Sequence, residues 1–360
     1  MYTSWLSPSS VSPDSLALPA LGTFLRPQAS PHTQIGLIGA HAPTADAVRR
    51  HLYAFSWDHG PLEVADLGNL RKRTTEFTIP FLRELHAAGI LPVLFGGAGE
   101  ATARAQYLAF GSLHRQIGIF QLDQHIPLSP DPGSDKLLDA AVHRPEPPRY
   151  HLAHAGSQRH LIDSRLDELF YQRNFERYSL GESRANAPDL EPCIRDADLA
   201  LVDIGSVLHA EAPAQAGYHP SGLSLQQAGQ LCYYAGNSDR MSSFGLYGLE
   251  VSEELTPAGE LTAAACAQLL WYFLHGVSQR AGDFPVATTG MVEYIVDAKL
   301  PQRLTFWRSS RSNRWWIEVP TDDPRGEERN RLVACSYQDY LQASQEGRLP
   351  ERIVRAFSRY

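Results

Sequence analysis

The 360-residue chain contains no run of 18 apolar residues, so a membrane-spanning helix is excluded. The longest apolar stretch, around 269–274, reads as part of a buried helix. Positive charge is in deficit, with 32 Lys and Arg against 40 Asp and Glu, and a net charge of -8 argues against a nucleic-acid partner. Lysine is nearly absent, with only Lys72, Lys136 and Lys299. The cysteines Cys193, Cys232, Cys266 and Cys335 lie far apart and form no C-x-x-C pair, which removes zinc-ribbon and thioredoxin readings. Scattered thiols fit a reducing compartment. The opening residues Met1 to Trp5 lack a basic segment ahead of an apolar one, so no secretory signal is expected and a cytoplasmic location is. No repeat of 20–50 residues, no G-x-G-x-x-G and no Walker lysine is present.

What the sequence does have, from Gln34 onward, is short apolar runs alternating with amphipathic stretches. Strands are expected at 35–38, 61–66, 91–95, 116–122, 178–180, 197–204 and 243–249. Helices are expected at 46–55, 76–88, 101–108, 161–173, 224–235 and 260–276, with Gly89 closing the second. This alternation predicts an α/β fold, a mainly parallel sheet covered on both faces in three α/β/α layers. The Ser/Pro-rich residues 1–33 read as an irregular arm, 34–280 as the α/β domain, and 281–360 as an extension packed on it. In that extension, 305–308 and 315–319 read as a β-hairpin, and 336–345 and 351–357 as short helices. Trp315 and Trp316, if exposed, could mark a surface for a protein partner; the alternative is that they pack against the domain.

Function in a parallel α/β sheet gathers at the carboxyl ends of strands. Four such ends carry glycine or polar residues: Gly96-Gly97-Ala98-Gly99-Glu100, Asp123-Gln124-His125, Asp203-Ile204-Gly205 and Leu249-Glu250. Asp123 and His125 stand two apart, so both side chains can point to one side. With Asp203 from another strand they would offer an imidazole and two carboxylates, a donor set that suits zinc, manganese or iron. A hydrogen-bonded loop is the alternative. The histidines at 151, 154 and 160 match no motif and read as solvated loop residues.

In order and context these segments resemble the ureohydrolases: arginase, agmatinase and formimidoylglutamase. The family's Gly-Gly-Asp-His-Ser corresponds to Gly96 through Glu100, its Asp-Ala-His-x-Asp to Asp123 through Pro127, and its Ser-x-Asp-x-Asp to Leu201 through Gly205. Pro213, Gly222-Leu223-Ser224 and the run Gly245 through Val251 follow in family order. The stretch 191–198, Tyr233-Tyr234-Ala235-Gly236 with Ser238-Asp239, and the Trp315-Trp316 extension are similar to a divergent formimidoylglutamase-like branch. The resemblance spans roughly residues 34–280. It implies an arginase-deacetylase-like fold and hydrolysis of C–N bonds in linear amidines by a dimanganese centre with six protein ligands.

Carried over position by position, the resemblance leaves three of those ligands: Asp123, His125 and Asp203. Gly99, Pro127 and Gly205 stand at the other three and have no ligating side chain. The remaining set resembles the single-zinc site of histone deacetylases, although their tandem histidines are absent. Three readings follow. The first is a pseudoenzyme kept for binding or assembly. The second is a hydrolase with one Mn or Zn ion at Asp123, His125 and Asp203, in which Glu250 anchors the guanidino or formimino group of a small nitrogenous substrate. The third recruits replacement ligands such as Glu100, His41 or His209. A two-metal centre is not expected, and the resemblance implies a homo-oligomer.

Overall fold

A computed structural model of the chain describes all residues except 1, 15, 59, 115, 144–148, 216–218, 253, 286–287, 298–302, 320–331 and 359–360. The alternation expected from sequence is present. The strands of the main sheet are β1 (Leu6–Ser7), β2 (Ile35–Gly39), β3 (Val64–Leu70), β4 (Leu91–Phe95), β5 (Gln116–Leu122), β6 (Arg149–Ser157), β7 (Glu176–Ser179), β8 (Leu199–Asp203) and β9 (Ser243–Tyr247). Between and after them lie α1 (Ala42–Ala54), α2 (Thr75–Ala87), α3 (Glu100–Gly111), α4 (Asp139–Val142), α5 (Leu166–Gln172), α6 (Leu180–Ala185), α7 (Glu191–Arg195), α8 (Leu225–Asn237) and α9 (Pro257–Ser278).

The nine strands run in the spatial order β1-β3-β2-β4-β9-β8-β5-β6-β7. All neighbours are parallel except the short edge strand β1 against β3. Every residue of β2, β4 and β9 is buried, as continuous apolar runs in a doubly covered sheet require. One core joins the sheet to α1, α7, α8 and α9, and a second joins its other face to α2, α3, α4 and α5. The result is a three-layer α/β/α domain. Local signals agree with it: Ser224 and Gln227 form a capping box at the start of α8, and Thr256 caps α9 ahead of Pro257. Among the described residues, no helix is long and apolar enough to cross a membrane.

Three expectations need correction. His151 and His154 are not loop residues: they lie in β6, between β5 and β7, and His154 is fully buried. The run Arg149–Ser157 has one large aliphatic residue, Leu152, so its apolar periodicity is weak although both edges are paired. His160 does lie outside the strands, in an exposed turn. Second, the C-terminal segment is more than a hairpin. β10 (Met291–Val296), β11 (Leu304–Ser309), β12 (Trp315–Glu318) and β13 (Leu332–Cys335) form a four-stranded antiparallel sheet, followed by α10 (Tyr337–Gln345) and α11 (Glu351–Phe357). Third, Trp315 and Trp316 are only 6% and 2% exposed. Trp315 stacks on Tyr340 of α10, and Trp316 packs with Leu332 and Ala334.

The buried side chain of Arg195, at the end of α7, holds this second sheet to the domain. Its guanidinium donates to Trp315 O at 3.2 Å and Cys335 O at 3.0 Å, pairs with Glu191 at 2.8 Å, and lies over the Trp316 ring. Removing it would leave two buried carbonyls and a carboxylate without their donor. Arg195→Ala is therefore expected to destabilise the protein by about 3 kcal/mol, read as an earlier midpoint in urea unfolding. An unchanged midpoint would show that the sheet is held by apolar contact alone.

Candidate functional site

Parallel strands deliver their carboxyl ends to one edge of the sheet, and that edge carries the motif residues. Asp123 follows β5 directly, and its N–H donates to Ala155 O of β6 at 3.1 Å. Its carboxylate accepts the His125 N–H at 3.0 Å, which turns the chain so that the His125 ring lies 3.7 Å from the same oxygen. The adjacent carboxylate holds His125 above its ordinary pKa. Asp203 ends β8 and accepts the Gly205 N–H at 2.7 Å. Burial, and then the charge of Asp123, push Asp203 up to about 7. The structure thus brings Asp123, His125 and Asp203 to one place, with the His219 ring 5.1 Å from that of His125.

Glu250 has different neighbours. It pairs with Arg73 at 2.9 Å and accepts the Ala98 N–H at 3.2 Å. These two donors hold its carboxylate below the usual range. His41 caps α1, bonds Thr44 Oγ1 through Nδ1 at 2.8 Å, and is lowered by burial and then by Arg73. Glu100 is exposed in the first turn of α3, and His209 lies in the turn beyond β8.

The residue that sequence reasoning misplaced is His154. Its Nε2–H donates to His125 O at 2.6 Å, so it fixes the backbone beneath the His125 ring. Burial pushes its pKa down to about 4, so the imidazole is neutral, and its Nδ1 has no hydrogen-bond partner. The available signal was its register: β6 places His154 beside Gln121, two residues before Asp123.

The first motif is shaped by glycine. Gly96, Gly97 and Gly99 have φ of +82°, +87° and +89°, a region that other residues enter only with strain. Gly97 bridges to Leu249, which ties the end of β4 to the end of β9. A Cβ built on Gly99 would overlap the ring of Tyr247, the last residue of β9. Tyr247 is buried, and its hydroxyl donates to Gln106 Oε1 of α3. The Gln106 amide in turn donates to Ser243 Oγ at 2.7 Å.

No protein-family model and no curated protein sequence matches the chain. Solved structures do. A Trypanosoma cruzi formiminoglutamase with Mn2+ superposes with a TM-score of 0.61 at 17% identity, over 73% of this chain and 99% of that one. Bacillus subtilis formimidoylglutamase gives 0.61 at 12% identity, over 77% and 98%. Bacillus cereus arginase gives 0.52 at 14% identity, over 67% and 98%.

The chain has the arginase fold. Its nine-stranded, mainly parallel sheet and flanking helices are the part shared with these enzymes, and the C-terminal antiparallel sheet adds a second structural layer to it.

A dimanganese centre of the arginase-fold enzymes does not fit the residues present. The space a side chain at position 99 would need is filled by Tyr247. A Cβ on Gly205 would stand 2.9 Å from Asp203 Oδ1 and 3.2 Å from Gln124 Nε2, side-chain ends that would have to shift to admit it. Among the described residues, no three His, Cys, Asp or Glu side chains are gathered as a metal ion requires.

Gly99→Ala combines a strained φ with overlap on Tyr247, so a loss of at least about 2 kcal/mol is expected in urea unfolding. Combining it with Tyr247→Ala should cost less than the two single changes added together. Strict additivity would show that the two residues do not share one space.

Proposed function

We propose that this chain is a divergent arginase-family protein, nearest in kind to formimidoylglutamase. It has left two-metal hydrolysis and uses the old substrate edge to bind a small nitrogenous cation. The observation that carries this reading is Tyr247, whose ring occupies the space next to Gly99 and is anchored there through Gln106. Glu250 is the cation's anchor in this reading, with the ligand's amidine or guanidine replacing Arg73. That exchange is chemically even, because a guanidinium leaves the carboxylate as another arrives.

The test is metal content and turnover together. Protein incubated with manganese or zinc and then desalted is expected to retain less than one ion per chain. It should release no urea, ammonia or formamide from arginine, agmatine, guanidinobutyrate or formimidoylglutamate. Agmatine should raise the melting temperature of wild type, since a ligand of the native state must do so, and should not raise that of Glu250→Gln. Manganese-dependent turnover that disappears in His125→Ala would overturn the proposal.

A second reading is a C–N hydrolase with a single Mn or Zn ion held by Asp123, His125 and Asp203, which feel one another's charge but would have to draw closer to share an ion. One tightly held ion per chain, lost in His125→Ala, would select it. In either reading we propose a homo-oligomer, checked by light scattering at micromolar concentration, where a mass above the 39.9 kDa of one chain is expected.

A further inference from the structure

The opposite edge of the sheet holds a cavity of about 810 Å³, within the range of small-molecule sites. Its lining includes the residues at or just before the starts of five strands: Ile35, Leu91, Gln116, Asp198 and Ser242. It lies a full strand length, roughly 17–23 Å, from Asp123 and Asp203, and is therefore separate from the edge discussed above.

Two aspartates and two arginines line this cavity, but they are not paired one to one. Asp198 is taken by Arg240, in contacts of 2.8 and 3.0 Å. The Asp239 carboxylate is taken by backbone, accepting the N–H groups of Gly282 at 3.2 Å and Asp283 at 2.9 Å. His86 is kept neutral by burial and by His114 beside it, its pKa pushed down to about 4. That leaves Arg280. Its Nε donates to Gly236 O at 2.9 Å and its Nη2 to Met241 O at 2.8 Å, two carbonyls at the end of α8 and in the loop beyond it. A guanidinium has five N–H bonds, so three remain. Among the described residues, none of these three meets an acceptor and no carboxylate lies within ion-pair distance of Arg280. Burial lowers Arg280 to about 10, against a smaller opposing pull from the charge of Asp239, which lies beyond ion-pair distance.

A planar fork of free N–H groups matches a carboxylate. Met241, Val277 and Phe284 supply apolar wall in the same cavity. We propose that this cavity is a binding site for a small monocarboxylate with a compact apolar body, the carboxylate seated on Arg280 and the body against the apolar wall. Arg240 does not substitute for it, because Asp196 and Asp198 already neutralise it.

Benzoate is the probe, and benzamide its uncharged isostere. Calorimetric titration of the full chain should show saturable benzoate binding at one site per chain, with benzamide at least tenfold weaker. Arg280→Gln keeps an amide donor for the two carbonyls but removes the charge, and should weaken benzoate at least tenfold while leaving the melting temperature of the free protein within a few degrees. Ser278→Trp leaves Arg280 in place and fills the cavity, and should abolish binding even if Arg280→Gln fails to fold. Phosphate should compete weakly, having the charge but not the apolar body. Equal affinity for benzoate and benzamide, no benzoate binding by wild type, or full binding by Ser278→Trp would each overturn the proposal.

Discussion

Much of the candidate edge depends on one packing constraint: a tyrosine ring set against a glycine. Tyr247 ends β9, the strand between β4 and β8, and its ring rests where the side chain of residue 99 would otherwise project. The hydroxyl is tied to Gln106, and Gln106 to Ser243 at the start of the same strand, so α3 is fastened to both ends of β9. A buried phenol that loses its acceptor is left with an unsatisfied donor, so ring and amide hold each other in place. Gly99 is thus more than the loss of a histidine: with φ at +89° and an aromatic ring against it, it is a position where only glycine fits.

This constraint orders the other changes around it. Gly97 bridges Leu249, and the turn that follows presents Gly248, where an added Cβ would run into the Asp203 carboxylate. Asp203 is thereby walled in by Gly248 on one side and by the Gly205 N–H on the other. Asp123 and Asp203 lie close enough for each to feel the other's charge. Burial and repulsion from Asp123 raise Asp203 to about 7. Together with His125, whose pKa the Asp123 carboxylate raises, these side chains form a hydrogen-bonding surface.

Much of the fold was legible in the sequence because buried parallel strands read as apolar runs: β2, β4, β5, β8 and β9 could be found that way. β6 could not, since its core positions include His154, and a buried imidazole is indistinguishable in sequence from a solvated one. Its burial is explained only by the three-dimensional partner, His125 O. The tryptophans of β12 misled for the opposite reason. A Trp-Trp pair in a polar stretch suggests exposure, but β11 and β13 pair both edges of the strand, Tyr340 of α10 stacks on Trp315 and Arg195 lies over Trp316. At the site, the strand ends carrying Asp123, His125, Asp203 and Glu250 could be found from motif order. Tyr247 could not, because its effect runs through a contact with a residue 148 positions away.

The Arg73–Glu250 pair raises the question of whether the edge is closed to an incoming cation. Both side chains are about half exposed, at 49% and 42%. Ion pairs of that kind contribute about 0–1 kcal/mol, because water screens the attraction and two long side chains must be held still. A competing guanidine or amidine therefore meets a barrier of at most a few-fold in affinity from Arg73. Glu250 also keeps its second anchor, the Ala98 N–H, which holds the carboxylate in place when Arg73 departs. In the proposed reading the edge stays open to a cation while Tyr247 fills the space beside Gly99, and the two properties are separable because they reside on different parts of the β4–β9 junction. The Arg73–Glu250 contact is exposed and exchangeable, whereas the ring beside Gly99 is buried and cannot move without unpacking α3.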